Sequence, residues 1–198
     1  ARALTSLPVL ALTAWSALAL EYTVPGPWWV ARSASVLCAL VAVGALIGLR
    51  PFRRAVGVAL AIFASVLVWF LSLAPSNTGD WQPDVGQLAY GEVEGDILTL
   101  HNVRNFSYRS ETDFAESWET RRYDLSKLDG LDMFFSHWGS PLIAHTIMSW
   151  QFAGGQRVAI SIETRKVTGQ QYSAVEGFFR QYPIYYVAAD ERDLIGLR

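Results

Sequence analysis

Cysteine is nearly absent from this sequence, with one residue, Cys38, among 198. A lone cysteine cannot form an intramolecular disulfide. Cys38 lies inside a long apolar run, where a thiol behaves as a small apolar side chain. It is therefore excluded as a nucleophile for chemistry in the polar half of the chain, which begins near residue 75.

Charge is missing from three long stretches. Residues 3–20, 33–49 and 55–73 contain no Asp, Glu, Lys, Arg or His. At about 1.5 Å per residue, each is about long enough to cross a hydrocarbon core of roughly 30 Å. They predict a bundle of three transmembrane helices. The alternatives are buried helices of a soluble protein, or a secretory signal in the first run, but two further spans would not follow a signal.

These runs divide the chain into three parts. Residues 1–74 form the predicted transmembrane anchor, 75–85 a polar linker, and 86–198 an extramembrane domain, which we expect to be incomplete at its C-terminus. Because the chain begins with Ala rather than Met, we also expect the number of spans to be a minimum.

The formal net charge of −2 hides an asymmetry between these parts. Residues 1–74 carry five Arg and one acid, whereas residues 75–198 carry 17 acids and 11 bases. Nucleic-acid binding needs a basic face, so the acidic domain is not expected to bind nucleic acid.

The orientation follows from the short loops. Residues 49–54 join the second and third runs and contain three Arg, which is typical of a cytoplasmic loop. Residues 21–32 are nearly neutral and include Trp28 and Trp29, which favour the headgroup region. The pattern predicts a bacterial inner-membrane protein whose C-terminal domain lies in the periplasm.

The extramembrane half has the pattern of an α+β domain. Residues 88–94 and 97–102 flank a Gly-Asp pair and predict a hairpin, and residues 142–152 and 157–164 predict a second one. Further strands are predicted at 119–124, 131–138 and 184–188. Tyr172, Val175, Phe179 and Tyr182 recur at helical spacing and predict one amphipathic helix packed on an antiparallel sheet.

Three histidines are the residues best suited to proton transfer near neutral pH. His145 is the strongest candidate, because it begins an apolar strand, where a polar ring needs a partner. The alternative is a histidine at the edge of the core bonded to a carbonyl. If the hairpin pairs Phe152 with Gln156, Glu163 lies opposite His145; a slip of one residue puts Thr164 there instead. The alternative role of Glu163 is a surface salt bridge with Arg165 or Lys166.

Other polar residues give weaker signals. His101, His137 and His145 lack a short ligand spacing, so we predict neither a metal site nor a cofactor. Ser140 is not in a nucleophile elbow and is better suited to a turn beside Pro141. Arg109 belongs to a charged cluster that either braces a loop or binds an anion.

The polar segments together resemble a known family, the Lnb N-terminal periplasmic domain of bacterial envelope proteins. The resemblance is carried by residues 101–106 with 108–113, 138–146, 161–166 and 189–193, and it covers roughly residues 80–198 in consecutive order.

The resemblance implies acyl-transfer chemistry on a circularly permuted papain-like fold. His145 matches the family's histidine, and Glu163 would orient its ring. His101, Arg109 and Ser140 become candidates for substrate binding. The family's nucleophilic Cys lies in an Asn-Cys-Thr segment further downstream, and the sequence has no extramembrane cysteine. We therefore expect this polypeptide alone to be inactive.

Three hypotheses follow. The first is a membrane-anchored thiol acyltransferase acting on a membrane lipid or a lipoprotein. The second is a non-catalytic envelope module that binds a partner or a glycan through Trp81, Trp118 and Trp138. The third is a cell-wall peptidase or amidase that uses the same pair of residues.

Overall fold

The computed structural model describes residues 2–110, 113–137, 139 and 141–196, with side chains from Ser6 onward. The chain forms two compact units. The helical unit comprises Ala1–Asn77 and Tyr172–Tyr182, and the sheet unit comprises Thr78–Gln171 and Pro183–Arg198.

Three long helices make up most of the helical unit: α1 (Arg2–Thr23), α2 (Trp28–Gly48) and α3 (Phe52–Ser72). Pro27 and Pro51 stand at the N-cap positions of α2 and α3 in extended conformations. A proline has no backbone N–H and cannot continue a preceding helix, so each one separates two helices. The short connections therefore make sequential helices neighbours.

Two of these helices, α2 and α3, are long and apolar enough to cross a membrane. The sequence predicts three such helices, and among the residues with described side chains, which begin at Ser6, two meet this criterion. In α1 the hydroxyls of Thr13 and Ser16 donate to the carbonyls of Val9 and Leu12, so both polar side chains are bonded within the helix.

Many of the buried residues between the long helices are small, and many large ones are exposed. Ala19 and Ala55 are fully buried, whereas Leu37 and Leu40 are 62% and 65% exposed. Small residues let helices approach closely, and exposed leucines at mid-helix suit a surrounding that is itself apolar. This packing fits helices that lie in lipid.

The helical unit also contains a segment from late in the chain, residues 172–182, with the five-residue helix α4 (Ala174–Phe178). The predicted helix therefore exists in shortened form, but its segment packs with the long helices rather than on the sheet. Phe179 is buried there and stacks on Tyr22, with ring centroids 5.1 Å apart. The apolar spacing indicated burial of one face correctly but did not identify the partner.

The described residues of the sheet unit form nine strands, arranged in a two-stranded sheet and a seven-stranded one, followed by the four-residue helix α5 (Glu191–Leu194). The strands are β1 (Tyr90–Glu94), β2 (Ile97–Arg104), β3 (Ser107–Tyr108), β4 (Phe114–Ala115), β5 (Trp118–Asp124), β6 (Leu128–His137), β7 (Ala144–Phe152), β8 (Arg157–Thr164) and β9 (Ile184–Ala189).

The larger sheet has the order β1-β2-β9-β8-β7-β6, and β5 also pairs with β2. All of its pairs are antiparallel except β2 with β9, which are parallel and meet at Arg104 and Ala189. The predicted α+β class is confirmed, but the sheet is mixed rather than antiparallel. The reason is that β9 follows the segment that returns from the helical unit and enters between β2 and β8.

Both predicted hairpins are present. In the first, Glu94 pairs with Ile97, which leaves Gly95 and Asp96 as a two-residue turn, and Gly95 has φ +59°. A positive φ is the conformation that such turns need and that glycine adopts at little cost.

The core of the sheet unit lies on both faces of the larger sheet. One face packs Ile147, Ala159 and Val187 against Val85 and Leu194. The other face packs Leu100, Val103, Tyr123, Phe152 and Val158 together. Because side chains alternate along a strand, neighbours such as Val158 and Ala159 serve opposite faces.

Candidate functional site

His145 lies near the start of β7, beside β8. Its Nε2 is 3.1 Å from Oε1 of Glu163 and 2.5 Å from Oγ of Ser161. The Ser161 hydroxyl in turn donates to Oε1 of Glu163 over 3.0 Å. An imidazole, a hydroxyl and a carboxylate are therefore in mutual contact, and we call these three residues the His145 cluster.

The strand register explains how the cluster forms. β7 and β8 pair Ile147 with Ser161, and the N–H of Phe152 donates to the carbonyl of Gln156 over 2.9 Å. Continuing the same pairing by two residues brings Glu163, rather than Thr164, opposite His145. The sequence had left this register open, and the structure decides it in favour of Glu163.

Ser161 is the member that sequence reasoning missed. The available signal was its spacing, because residues two apart on a strand share a face, so Ser161 and Glu163 point to the same side as His145. Ser161 is 2% exposed, whereas the side chains of His145 and Glu163 are 13% and 19% exposed. The imidazole and the carboxylate are thus held by the sheet but remain in contact with solvent.

The geometry determines what the imidazole can do. A ring that donates its Nε2–H to Glu163 keeps Nδ1 as the proton acceptor. A carboxylate in this position fixes the orientation of the ring. This is the arrangement of a general base with its orienting acid.

A groove of about 250 Å³ lies along β7, β8 and β9. His145 and Ser161 are among the residues that line it, together with Met148, Ile160 and Ile162. These three apolar residues alternate with His145 and Ser161 along their strands, so their side chains lie on the other face of the sheet. The groove is therefore formed mainly by the face opposite to the His145 cluster.

Arg165 does not form the alternative salt bridge with Glu163. Its guanidinium donates to the carbonyls of Val85 and Gly86 over 3.0 and 2.8 Å, and it lies 4.3 Å from the ring of Trp81. Burial lowers the pKa of this guanidinium. Arg165 holds the segment before β1 against the sheet, and this leaves Glu163 to His145 and Ser161.

His101 lies on β2, which β9 and β8 separate from β7 in the sheet order. Its ring stacks on Tyr90 with centroids 4.6 Å apart, and its Nδ1 is 3.2 Å from Oγ1 of Thr120. The carboxylate of Glu92 is 4.0 Å from its Nε2. The structure does not bring His101 to the His145 cluster.

Arg109 lies in the turn between β3 and β4, outside the larger sheet. Its Nε and Nη2 contact the two carboxylate oxygens of Asp113 at 2.7 and 2.5 Å. This bidentate pair lowers the pKa of Asp113 and raises that of Arg109. The contact is the one expected of a pair that braces a loop. Ser140, the remaining predicted binding residue, lies outside the described residues.

Two of the polar segments that carry the family resemblance, residues 101–106 and 189–193, meet in a buried ion pair. Arg104 on β2 contacts Asp193 on α5 through Nη2 at 2.9 Å and Nε at 3.0 Å. The N–H of Phe106 donates to the same carboxylate over 2.6 Å, and Nη1 of Arg104 donates to the carbonyl of Asp84. These side chains are 6% and 0% exposed, so this part of the polar pattern serves the fold.

An arginine-lined cleft of about 550 Å³ lies elsewhere on the sheet unit. Two of its arginines are paired: Arg121 with Glu119 and Asp190, and Arg157 with Glu191. Sequence reasoning did not anticipate this cleft, because its residues come from three separate segments. Its charges are largely neutralised within the protein.

Within the described residues, no group of three or more His, Cys, Asp or Glu side chains is placed to hold a metal ion. Two of the tryptophans predicted to form a binding surface are half-buried: Trp81 lies against Arg165, and Trp118 meets the ring of Phe106 edge-on. Trp138 lies outside the described part of the chain.

Comparison with known families gives one match. Residues 114–198 match the family model of the Lnb N-terminal periplasmic domain, which confirms the resemblance noted from the sequence. The match contains His145, Ser161 and Glu163 but begins after His101 and Arg109. No curated protein and no solved structure matches the chain, so the permuted papain-like fold stays a prediction.

Proposed function

Because residues 114–198 match the family model of the Lnb N-terminal periplasmic domain, we propose that the chain contributes the general-base part of a thiol-dependent acyl-transfer centre. The protein would be anchored in the bacterial inner membrane, with its sheet unit in the periplasm. The substrates would be a membrane lipid and a lipoprotein. The observation that carries the proposal is the contact of the His145 imidazole with Glu163 and Ser161 inside the matched region.

In this proposal His145 accepts the thiol proton of a cysteine, and the thiolate attacks the ester carbonyl of the lipid donor. The carbon–oxygen bond breaks, the imidazolium returns the proton to the departing alkoxide, and a thioester remains. An amine of the acceptor then attacks the thioester, gives up its proton through the same imidazole, and releases the thiol. Glu163 keeps the ring oriented in both steps.

The thiol for this reaction comes from outside these 198 residues, because the sequence's one cysteine lies in α2. The polypeptide described here would therefore bind and orient substrates but not turn them over. His101, Arg109 and Ser140 stay predictions as contacts to the polar part of the substrate.

Membrane attachment supports a lipid substrate. Two helices able to span a bilayer and a periplasmic domain family together fit a membrane-anchored envelope protein. A donor that never leaves the bilayer meets a tethered site at a higher effective concentration. The arginine-rich connection between α2 and α3 favours a cytoplasmic position, which would put the sheet unit on the periplasmic side.

The test replaces His145 in the natural gene in its source organism. We expect His145→Ala to abolish N-terminal acylation of lipoproteins, measured by mass spectrometry. Glu163→Gln should lower it by less than the roughly 10²–10⁴-fold that a general base itself contributes. The matched control is His137→Ala, because His137 is an exposed histidine at the end of β6. Unchanged acylation in His145→Ala would rule the base assignment out.

A second candidate function rests on a different surface. Leu131, Met133 and Phe135 share one face of β6 and are 47%, 53% and 57% exposed. β6 is at one end of the larger sheet, so this apolar stripe fits a non-catalytic envelope module that binds a partner. Loss of function in Met133→Asp with full function in His145→Ala would favour this candidate over the enzyme.

A further inference from the structure

Residues 172–182 lie between β8 and β9 in the sequence, but they pack at one end of the long helices of the helical unit. Phe179 is 3% exposed, stacks on Tyr22, and lies 6.5 Å from the ring of Trp15. Phe70 and Ala19 belong to the same buried cluster. The segment is thus held by α1 and α3 together.

A polar contact fixes the segment to the end of α3. Nη1 of Arg180 donates to the carbonyl of Phe70 over 3.1 Å, and its guanidinium lies 4.6 Å from the Phe70 ring. Phe70 is in the last turn of α3, whose carbonyls lack partners within the helix. A cation there also interacts favourably with the helix dipole.

These contacts show how far the segment lies from the ends of α1 and α3. Tyr22 and Phe70 lie within two residues of the ends of α1 and α3, and Trp15 lies about 12 Å before the end of α1 at a rise of about 1.5 Å per residue. Phe179 touches both Tyr22 and Trp15, so it lies below the helix ends by less than that distance. For helices that span a bilayer, this is the boundary between headgroups and acyl chains.

The opposite side of the segment is apolar and exposed. Tyr172, Val175 and Phe178 are spaced three residues apart and are 62%, 52% and 65% exposed. The nearby carboxylate of Glu176 does not interrupt this apolar face. It accepts a hydrogen bond from the Tyr182 hydroxyl over 2.6 Å. Three apolar side chains at this depth would face acyl chains rather than water.

We infer that residues 172–182 are a membrane-inserted element, in which Tyr172, Val175 and Phe178 lie in the boundary region of the periplasmic leaflet. The partner is the phospholipid bilayer itself. An apolar face buried to a depth of about 5–10 Å is the geometry by which short amphipathic segments bind membranes. The inference depends on the membrane position of the helices but not on the chemistry of His145.

The experiment uses the full chain in phosphatidylglycerol–phosphatidylcholine nanodiscs, in a Cys38→Ala background. Phe178→Cys and Val175→Cys are labelled with an environment-sensitive fluorophore, and Val93→Cys on β1, 61% exposed in the wild-type protein, is the matched control. We expect a blue-shifted emission for labels at 178 and 175, with quenching by doxyl-labelled lipid several-fold stronger than at 93. Aqueous iodide should quench the label at 93 several-fold more than the other two.

Two results would overturn the inference. Iodide quenching at 178 and 175 equal to that at 93 would place the segment in water. Protection from iodide without quenching by the labelled lipid would show that protein, such as a second copy of the chain, covers this face. Both outcomes are independent of the acylation assay, so failure here and failure of the proposed function can be told apart.

Discussion

The two units differ in the charge they bury and in the apolar side chains they expose. In the described part of the helical unit the buried polar residues, Thr13 and Ser16, are uncharged and many leucines are exposed, whereas the sheet unit buries Arg104, Arg165 and Asp193. In lipid, association of helices depends on close packing of small residues, because burying leucine gains nothing there. In water, a sheet gains from burying apolar area and can bury polar groups only as bonded sets. The difference fits a membrane-anchored protein with its helical unit in lipid and its sheet unit in water.

The His145 cluster needs an aqueous surrounding. An imidazole and a carboxylate that are 13% and 19% exposed keep their contact with water while the strands hold them together. A similar cluster in the helical unit would be costly, since ionisable side chains are expensive to place in lipid. The sheet unit is therefore the better surrounding for the proposed chemistry.

The largest effect should come from breaking the buried ion pair of the sheet unit. Arg104→Met leaves the buried Asp193 without its cation, and we expect a loss of about 3–5 kcal/mol in the free energy of unfolding. The measurement is urea denaturation of the full chain in detergent, followed by tryptophan fluorescence. Arg109→Met, which removes an exposed pair with Asp113, is the matched control and should leave the denaturation curve unchanged. Equal curves for the two variants would contradict the structural role of Arg104.

A smaller effect is expected from a charge in the helical unit. Leu40 lies near the middle of α2 and is 65% exposed. Leu40→Lys should oppose membrane insertion by about 2.5–3.5 kcal/mol, measured as the fraction of protein in the membrane pellet after carbonate extraction. Val93→Lys on the sheet unit provides the comparison and should not change that fraction. If Leu40→Lys were equally harmless, α2 would not be in contact with lipid.

The smallest effect concerns pH. Glu119 accepts hydrogen bonds from Asn105 and Arg121 at 2.6 and 2.8 Å, and these lower its pKa. A carboxylate with a lowered pKa in the folded state stabilises the protein above its unfolded pKa of about 4.3, and this stability is lost as the pH falls through the folded value. We expect the urea midpoint to fall on acidification below that range and to fall less in Glu119→Gln. A steeper decrease in the variant would show that another group dominates.

Local features of the fold could be predicted from the sequence because they depend on neighbouring residues. The turn at Gly95 and the alternation of Ile160 and Ile162 with Ser161 and Glu163 define two hairpins without any knowledge of the rest of the chain. His145 could be chosen for the same reason, since a polar ring at the start of an apolar strand stands out locally.

Contacts between distant segments could not be predicted in this way. Arg104 and Asp193 are 89 residues apart, and nothing in either segment identifies the other as its partner. The register that selects Glu163 over Thr164 depends on where the β7–β8 turn begins, and a glycine pair permits several choices. The apolar pattern of residues 172–182 indicated that one face is buried but not that long helices bury it.

The most direct test of the account is the side of the membrane on which the His145 strand lies. In the Cys38→Ala background, Thr146→Cys places an exposed thiol next to His145 on β7. A membrane-impermeant maleimide is then applied to cells whose outer membrane has been permeabilised. The account predicts labelling at this position while the inner membrane is intact. Labelling that occurs only after lysis of the inner membrane would place the cluster in the cytoplasm and contradict the account.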